Sequence, residues 1–352
     1  MKTYALLHHP MHQRIYKNAA ARMALAELAA LFPCAAPRPE VIGGVDYMAF
    51  DRAGPLTTEE IRVLSRASFT CAMFEYQKAE APAPPYLIPL EKSPGYFMDE
   101  SLSALLKYTG KTNELFTRLM LHLATEAAQP PLRILDPLAG KGTTLFEALI
   151  HGHHAHGVEI DPRYPAEAHQ YLKKFLELAR YKHTAHKDKV HSATRHKLTL
   201  ARHKDAARTG DTRHFEIIQG DTRQAPLFYK KHFFDAIVAD LPYGVQHASK
   251  DKKQPHGGGF TRNALGLLKE ALPGWLGVLK PGGTMVLAWN LFLIPREEME
   301  GLLTAHGLSL PETPDFSHRV DQAIQRDVIK ACLTSALSPL PGLSRGGGNA
   351  PS

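Results

Sequence analysis

The chain has 352 residues, 44% of them hydrophobic, enough for one large domain and a smaller companion around ordinary cores. No apolar run reaches the roughly 18 residues that span a bilayer, the first residues lack the apolar segment of a secretory signal, and Cys34, Cys71 and Cys332 are too few and too scattered for a disulfide framework or a zinc cluster. A membrane span, a disulfide scaffold and a structural metal are therefore not expected, and the cytoplasm is the expected location. The formal charge of +7 calls for an anionic partner, and it is local: residues 180–213 hold ten Lys or Arg against three Asp, with five His, while the remainder is neutral.

In chain order, residues 3–9 read as a strand, 15–32 as a helix, 41–50 as extended, and 60–74 as either. Together they suggest a small α/β domain over residues 1–80. Clustered prolines make residues 81–92 a linker, because proline enters neither a helix interior nor a central strand. Residues 93–335 then alternate between strand-like and helix-like segments, with the basic insert 180–213 interrupting them, and such alternation predicts a mainly parallel sheet with helices on both faces. The last residues, 336–352, have the composition of a disordered tail.

In an open parallel sheet, ligands bind beyond the carboxyl ends of the strands. The residues that end the expected strands here are acids and glycines. The first ends in Asp136-Pro137-Leu138-Ala139-Gly140-Lys141-Gly142-Thr143-Thr144, where two glycines permit a tight turn and close approach to a ligand. The second ends in Glu159, placed to accept from both hydroxyls of a ribose; the third ends at Asp221, placed to accept from an adenine amino group; the fourth ends in Asp240. The series suits an adenosine-bearing cofactor. A nicotinamide dinucleotide fits less well, because Leu145 stands where its loop pattern wants glycine. In the run Asp240-Leu241-Pro242-Tyr243-Gly244, the Asp240 carboxylate and the Leu241 carbonyl are two acceptors for the hydrogens of an exocyclic amine, Pro242 biases Leu241 towards an extended geometry, and Tyr243 offers a ring on which a base stacks.

These residues carry a resemblance. DPLAGKGTTLFEAL resembles the first S-adenosylmethionine motif of class I methyltransferases, and DLPYG resembles the motif of enzymes that methylate amino groups of nucleic-acid bases, with Leu241 replacing the usual first proline. With residues 108–124 and 318–331, the chain is most similar to the tRNA guanine-N2 methyltransferases, whose members often carry an N-terminal THUMP RNA-binding region. The resemblance implies a Rossmann-like class I fold with a seven-stranded sheet, S-adenosyl-L-methionine as cofactor, tRNA as partner, and a candidate RNA-binding role for residues 1–80. It gives Asp240, Leu241, Pro242 and Tyr243 the catalytic place. Cofactor contacts fall to Asp136, Pro137, Ala139, Gly140, Gly142 and Thr143 in the first loop, to Glu159 and Ile160, to Asp221 and Thr222, and again to Asp240. Thr112 and Asn113 either touch the cofactor or cap the helix that follows.

Adenine-N6 methylation of RNA or DNA uses the same clamp, and a non-catalytic RNA-binding protein that keeps the fold is the alternative from another class. The histidines of HGHHAH, 151–156, read as a polar loop rather than a metal site. The insert reads as a solvated helical excursion from the amino edge of the sheet or as a phosphate-binding region, and residues 247–262 as a second basic contact within a glycine-rich lid.

Overall fold

The computed structural model describes residues 1–9, 14–32, 36–78, 84–106, 111–125, 130–243 and 264–334. The proposed lid, the second basic region and the tail lie outside them. The chain begins with β1 (Lys2–His8), α1 (Arg14–Leu31), β2 (Arg38–Ile42), β3 (Val45–Arg52), α2 (Thr58–Arg66), β4 (Thr70–Gln77) and β5 (Tyr86–Leu90). The strands form one antiparallel sheet in the order β2, β3, β1, β4, β5. Residues 41–50 are a tight hairpin rather than one extended run, because Gly43 and Gly44, at φ +58° and +80°, reverse the chain. The ambiguous stretch 60–74 divides. A capping box between Thr57 and Glu60 starts α2, and the chain is extended again from Thr70.

Residues 86–90 correct the reading of 81–92 as a plain linker, since they pair with β4 along the rim of the sheet. An edge strand tolerates Pro89 because one of its rows of backbone groups needs no partner.

The second half runs α3 (Ser101–Ala104), α4 (Glu114–Thr125), β6 (Arg133–Asp136), α5 (Thr143–Ile150), β7 (His154–Glu159), α6 (Arg163–Leu178), β8 (Lys182–Val190), β9 (Ala193–Ala201), α7 (Lys204–Thr209), β10 (Arg213–Gln219), α8 (Ala225–Phe228) and β11 (Phe234–Asp240). It ends with α9 (Ala264–Val278), β12 (Leu279–Asn290), α10 (Arg296–Ala305), β13 (Leu308–Ser309), β14 (His318–Arg319) and β15 (Gln325–Leu333). The sheet order is β13, β15, β12, β11, β6, β7, β10, β9, β8, with β14 beside β15. Strands β12, β11, β6, β7 and β10 are mutually parallel, and β15 is antiparallel to β12. The Rossmann-like class I methyltransferase architecture expected from the sequence is the one observed. Its central strands read as continuous apolar runs, such as the fully buried Ala236–Ala239, because helices cover both faces.

The sheet has ten strands where seven were expected. The basic insert supplies two of the additions, since residues 182–201 form the hairpin β8–β9 rather than a helix. His196, Leu198 and Leu200 alternate inward along β9 and fasten it beneath α6, while β8 is held mainly by its ladder to β9 and stays exposed on both faces.

Helix α1 packs on α4 and β14, and one apolar cluster runs from Tyr4, Met23 and Phe50 through to Phe116 and Phe146. A buried polar chain crosses this junction. Glu27 accepts from the Ser68 hydroxyl at 2.7 Å and meets His122 Nδ1 at 2.8 Å, and His122 Nε2 meets His151 Nε2 at 3.0 Å. Burial holds His151 neutral, well below the usual imidazole range. HGHHAH is accordingly not a polar loop: His151 and His153 are core residues and His154–His156 begin β7. Apart from the Glu147 carbonyl, which meets His151 Nδ1 at 2.9 Å, the partners of these rings come from distant segments, which local composition does not reveal. Among the described residues no helix is long and apolar enough to cross a membrane, and no three His, Cys, Asp or Glu side chains are grouped to hold a metal.

Candidate active site at the carboxyl edge of the sheet

Strands β11, β6, β7 and β10 are neighbours, so their carboxyl ends bring Asp240, Asp136, Glu159 and Asp221 to one edge in that order. Gly142, at φ +92°, starts α5 in a conformation that strains any residue with a Cβ, and Gly140 is also left-handed at φ +51°. The loop between them is tied to β7. The Ala139 N–H donates to the Val158 carbonyl at 3.0 Å and the Gly140 N–H donates to Glu159 Oε2 at 2.8 Å. Sequence reading missed a partner here. A Cβ on Gly157 would stand 2.8 Å from that of Ala139, so the loop lies against the sheet only because β7 carries glycine at this level.

Asp136 is buried, and its Oδ1 accepts from the Leu138 N–H at 2.9 Å. Burial, with the charges of Asp240 and Glu159 adding to it, pushes its carboxyl up to about 7 despite lowering hydrogen bonds from Thr144 and Leu138. Glu159 Oε1 accepts from the Asp161 N–H at 2.7 Å, so each of its oxygens holds one loop amide and keeps a second lone pair for a ligand hydroxyl. Burial raises this carboxyl as well. Beside it Ile160 is 55% exposed, an apolar surface of the kind on which an adenine ring packs. Asp221 carries Arg223 across its carboxylate, both Oδ atoms 3.0 Å from Nε, and this pair holds it below the usual range. The Thr222 hydroxyl accepts from Trp275 Nε1 at 2.8 Å inside the core. Pro137, Ala139 and Thr143 are buried within the loop.

At the fourth strand end, Asp240 Oδ2 accepts from the Thr112 hydroxyl at 2.6 Å, and Oδ1 accepts from the Tyr243 hydroxyl. Asn113 takes the capping role instead, its Oδ1 accepting from the Leu115 N–H at 2.9 Å at the start of α4. The Leu241 N–H donates to the Ala288 carbonyl at 2.8 Å, which extends the β11–β12 pairing past Asp240, and its side chain is buried. Pro242 and Tyr243 are half-buried.

Arg326 on β15 also escaped the sequence reading. Its guanidinium lies 4.4 Å from the centre of the Phe116 ring and 4.9 Å from that of Tyr243, with Nη2 3.9 Å from Asp240 Oδ2. A buried cation thus underlies both the aromatic ring and the carboxylate of the clamp. The signal available was an arginine in a strand that continues as apolar Val328 and Ile329. Beyond β12, next to β11, Phe292 stands 58% exposed at the same edge.

The acids, the left-handed glycine loop and the exposed Ile160 fit a cationic, adenosine-bearing cofactor: two carboxyls placed to balance charge, hydroxyl acceptors on Glu159 and an apolar wall for the base. The family comparison agrees. The family model described as RMKL-like, methyltransferase domain, matches residues 106–281, half of the chain, and that span holds every strand-end acid. A search of curated proteins returns no significant match. Among solved structures, TrmN from Thermus thermophilus aligns at 16% identity over 94% of this chain and 99% of its own, with a TM-score of 0.44. The ribosomal protein L11 methylase from Lactobacillus delbrueckii subsp. bulgaricus aligns at 14% identity over 63% of this chain and 80% of its own, with a TM-score of 0.37. Magnesium protoporphyrin IX methyltransferase from Synechocystis, solved with bound S-adenosylmethionine, aligns at 13% identity over 64% and 87%, also with a TM-score of 0.37. At such identities and scores, neither activity nor substrate is taken from any of the three.

Proposed function

The chain belongs to the RMKL-like methyltransferase domain family, and from that membership we propose that this S-adenosylmethionine-dependent methyltransferase acts on an exocyclic amino nitrogen of a nucleic-acid base, with guanine N2 of tRNA as the favoured target. The observation that carries the proposal is the placement of Asp240, Leu241 and Tyr243 one strand from the glycine loop of the cofactor site. The preference for guanine N2 in tRNA rests on the resemblance of DLPYG and its flanking segments. Residues 1–80 are assigned an RNA-binding role on the same ground.

When bound, S-adenosylmethionine supplies an electrophilic methyl carbon on a positively charged sulfur. The chain's part is positioning. Asp240 and the Leu241 carbonyl accept the two hydrogens of the amine, which draws its lone pair out of conjugation with the ring, and the Asp240 charge balances the positive charge that develops on nitrogen. Thr112 and Arg326 fix the carboxylate, and Arg326 supports the Tyr243 ring. In the structure the Tyr243 hydroxyl sits where the amine is proposed to bind, so it must turn aside to leave the ring stacked on the base. Tyr243→Phe, which frees the acceptor and keeps the ring, is expected to retain turnover within a few-fold, whereas Tyr243→Ala loses a stacking contact worth roughly 1–3 kcal/mol. Steady-state kinetics on the two variants check this, and equal losses would contradict it.

The elevated Asp136 carboxyl gives a pH prediction. Its folded value of about 7 lies above the ordinary 3.8, so the group holds a proton from mild acid to neutrality. A cationic cofactor favours the ionised form. Affinity for S-adenosylmethionine is therefore expected to fall as pH drops below about 7 and to level off above it, with proton release on binding below that point, and Asp136→Asn should flatten the profile. Calorimetric titration from mildly acidic to mildly alkaline pH measures it.

The function itself is tested by supplying labelled S-adenosylmethionine with total tRNA, ribosomal RNA and DNA side by side. Label in tRNA above the other two is expected. Label in DNA alone would move the assignment to a DNA methyltransferase, and RNA binding by folded protein that does not bind S-adenosylmethionine would favour the non-catalytic alternative.

A further inference from the structure

The connection from α6 to β10 leaves and re-enters at the amino edge of the sheet, and a helical excursion there would stay away from the site. The hairpin changes this. Arg195 pairs with Ile218, so Lys189, opposite Thr194, stands level with Gln219, the last residue of β10, and the turn His191–Ser192 reaches the level of Asp221. The tip of the insert therefore lies on the same edge as the active site. Strand β8 is five positions from β11. At about 4.8 Å per strand, the tip is roughly 24 Å from Asp240, or about seven stacked nucleotides at about 3.4 Å each.

The charges on the hairpin are sorted by face. Asp188, its one acid, is occupied: Arg195 Nε and Nη2 donate to it at 2.7 and 2.8 Å, with Lys197 Nζ at 3.5 Å. Lys187 and Lys189 point to the opposite face, as alternation along β8 requires, and both are exposed. Among the described residues neither is paired with an acid. The group facing Lys187 from α6 is His169, with His196 of β9 beside it, and neither supplies a negative charge to that lysine.

We propose that the tip of the β8–β9 hairpin, through Lys187 and Lys189, is a docking surface for the phosphodiester backbone of the RNA substrate, several nucleotides from the methylated base. The proposal rests on the reading of the substrate as RNA. Uncompensated lysines level with the ligand edge give a sequence-independent contact that raises affinity and leaves the chemical step alone.

The test uses the full chain and unfractionated tRNA. For Lys187→Ala/Lys189→Ala, tRNA affinity is expected to fall about tenfold, and the slope of log K against log salt to become shallower by about 1.4 to 1.8. KM for tRNA should rise while kcat and S-adenosylmethionine affinity hold. Lys230→Ala/Lys231→Ala removes the same charge from exposed residues just before β11, at the amino edge, and should leave affinity and slope close to wild type. Unchanged affinity and slope in the tip variant, or an equal fall in the control, overturns the docking surface and leaves the RNA reading standing. Self-association of the tip variant with RNA affinity intact would assign the lysines to guarding an open sheet edge and also overturn it. Wild-type protein that does not bind tRNA removes the RNA reading and the docking surface together, before any variant is made.

Discussion

Asp240→Ala is expected to leave a folded protein that binds S-adenosylmethionine within a few-fold of wild type and transfers methyl groups about a thousandfold more slowly, the scale of losing one preorganised group aimed at developing charge. The side chain is one-fifth exposed and is held by Thr112, Tyr243 and the nearby Arg326, contacts that order the clamp rather than the core. On the proposed mechanism, losing it removes the acceptor that orients the amine and the charge that stabilises it in the transition state. Removing it also relieves Asp136 of a neighbouring negative charge, so the pH at which cofactor affinity levels off should move down slightly. Single-turnover kinetics with calorimetry separate the two effects.

Glu159→Ala is expected to show the reverse pattern, with cofactor affinity reduced roughly a hundredfold, because two charge-assisted hydrogen bonds of about 1.5–3 kcal/mol each are at stake and their losses are not fully additive. Part of the loss is indirect. Glu159 anchors the amides of Gly140 and Asp161, so its removal also loosens the loop against which the cofactor is proposed to lie. At saturating S-adenosylmethionine, turnover should recover towards wild type. If Asp240→Ala and Glu159→Ala lose cofactor affinity equally, the division of labour between the two strand ends is wrong.

How much of this was legible in the sequence depends on which forces place a residue. The parallel strands announced themselves because burial on both faces demands unbroken apolar runs, and the acids and glycines that end those runs fall on one edge by topology alone. Strand β8 gave no such signal. KHTAHKDKV is polar on both faces, and its conformation comes from pairing with β9, where only the alternation of His196, Leu198 and Leu200 betrays a strand. Read as a helix, the insert pointed away from the site; as a hairpin it rises to it. Arg326 and Gly157 were missed for a related reason. Each acts through space on a residue far along the chain, Arg326 on Tyr243 and Gly157 on Ala139, and neither sits in a recognisable spacing. The histidines 151–156 looked like loop material because groups that meet them, the His122 ring and the Leu132 and His214 amides, lie on other segments.

The identity of the methylated atom tests the central claim most directly. Total tRNA labelled by the wild-type protein should be digested to nucleosides and the product identified by mass spectrometry. A clamp made of Asp240, the Leu241 carbonyl and Tyr243 predicts a methyl group on an exocyclic nitrogen; the resemblance makes N2-methylguanosine the expected product, and N6-methyladenosine alone would keep the clamp and overturn the guanine assignment. A methyl group on a ring carbon, a ring nitrogen or a ribose hydroxyl would contradict the clamp, because none of those atoms needs two acceptors holding an amine.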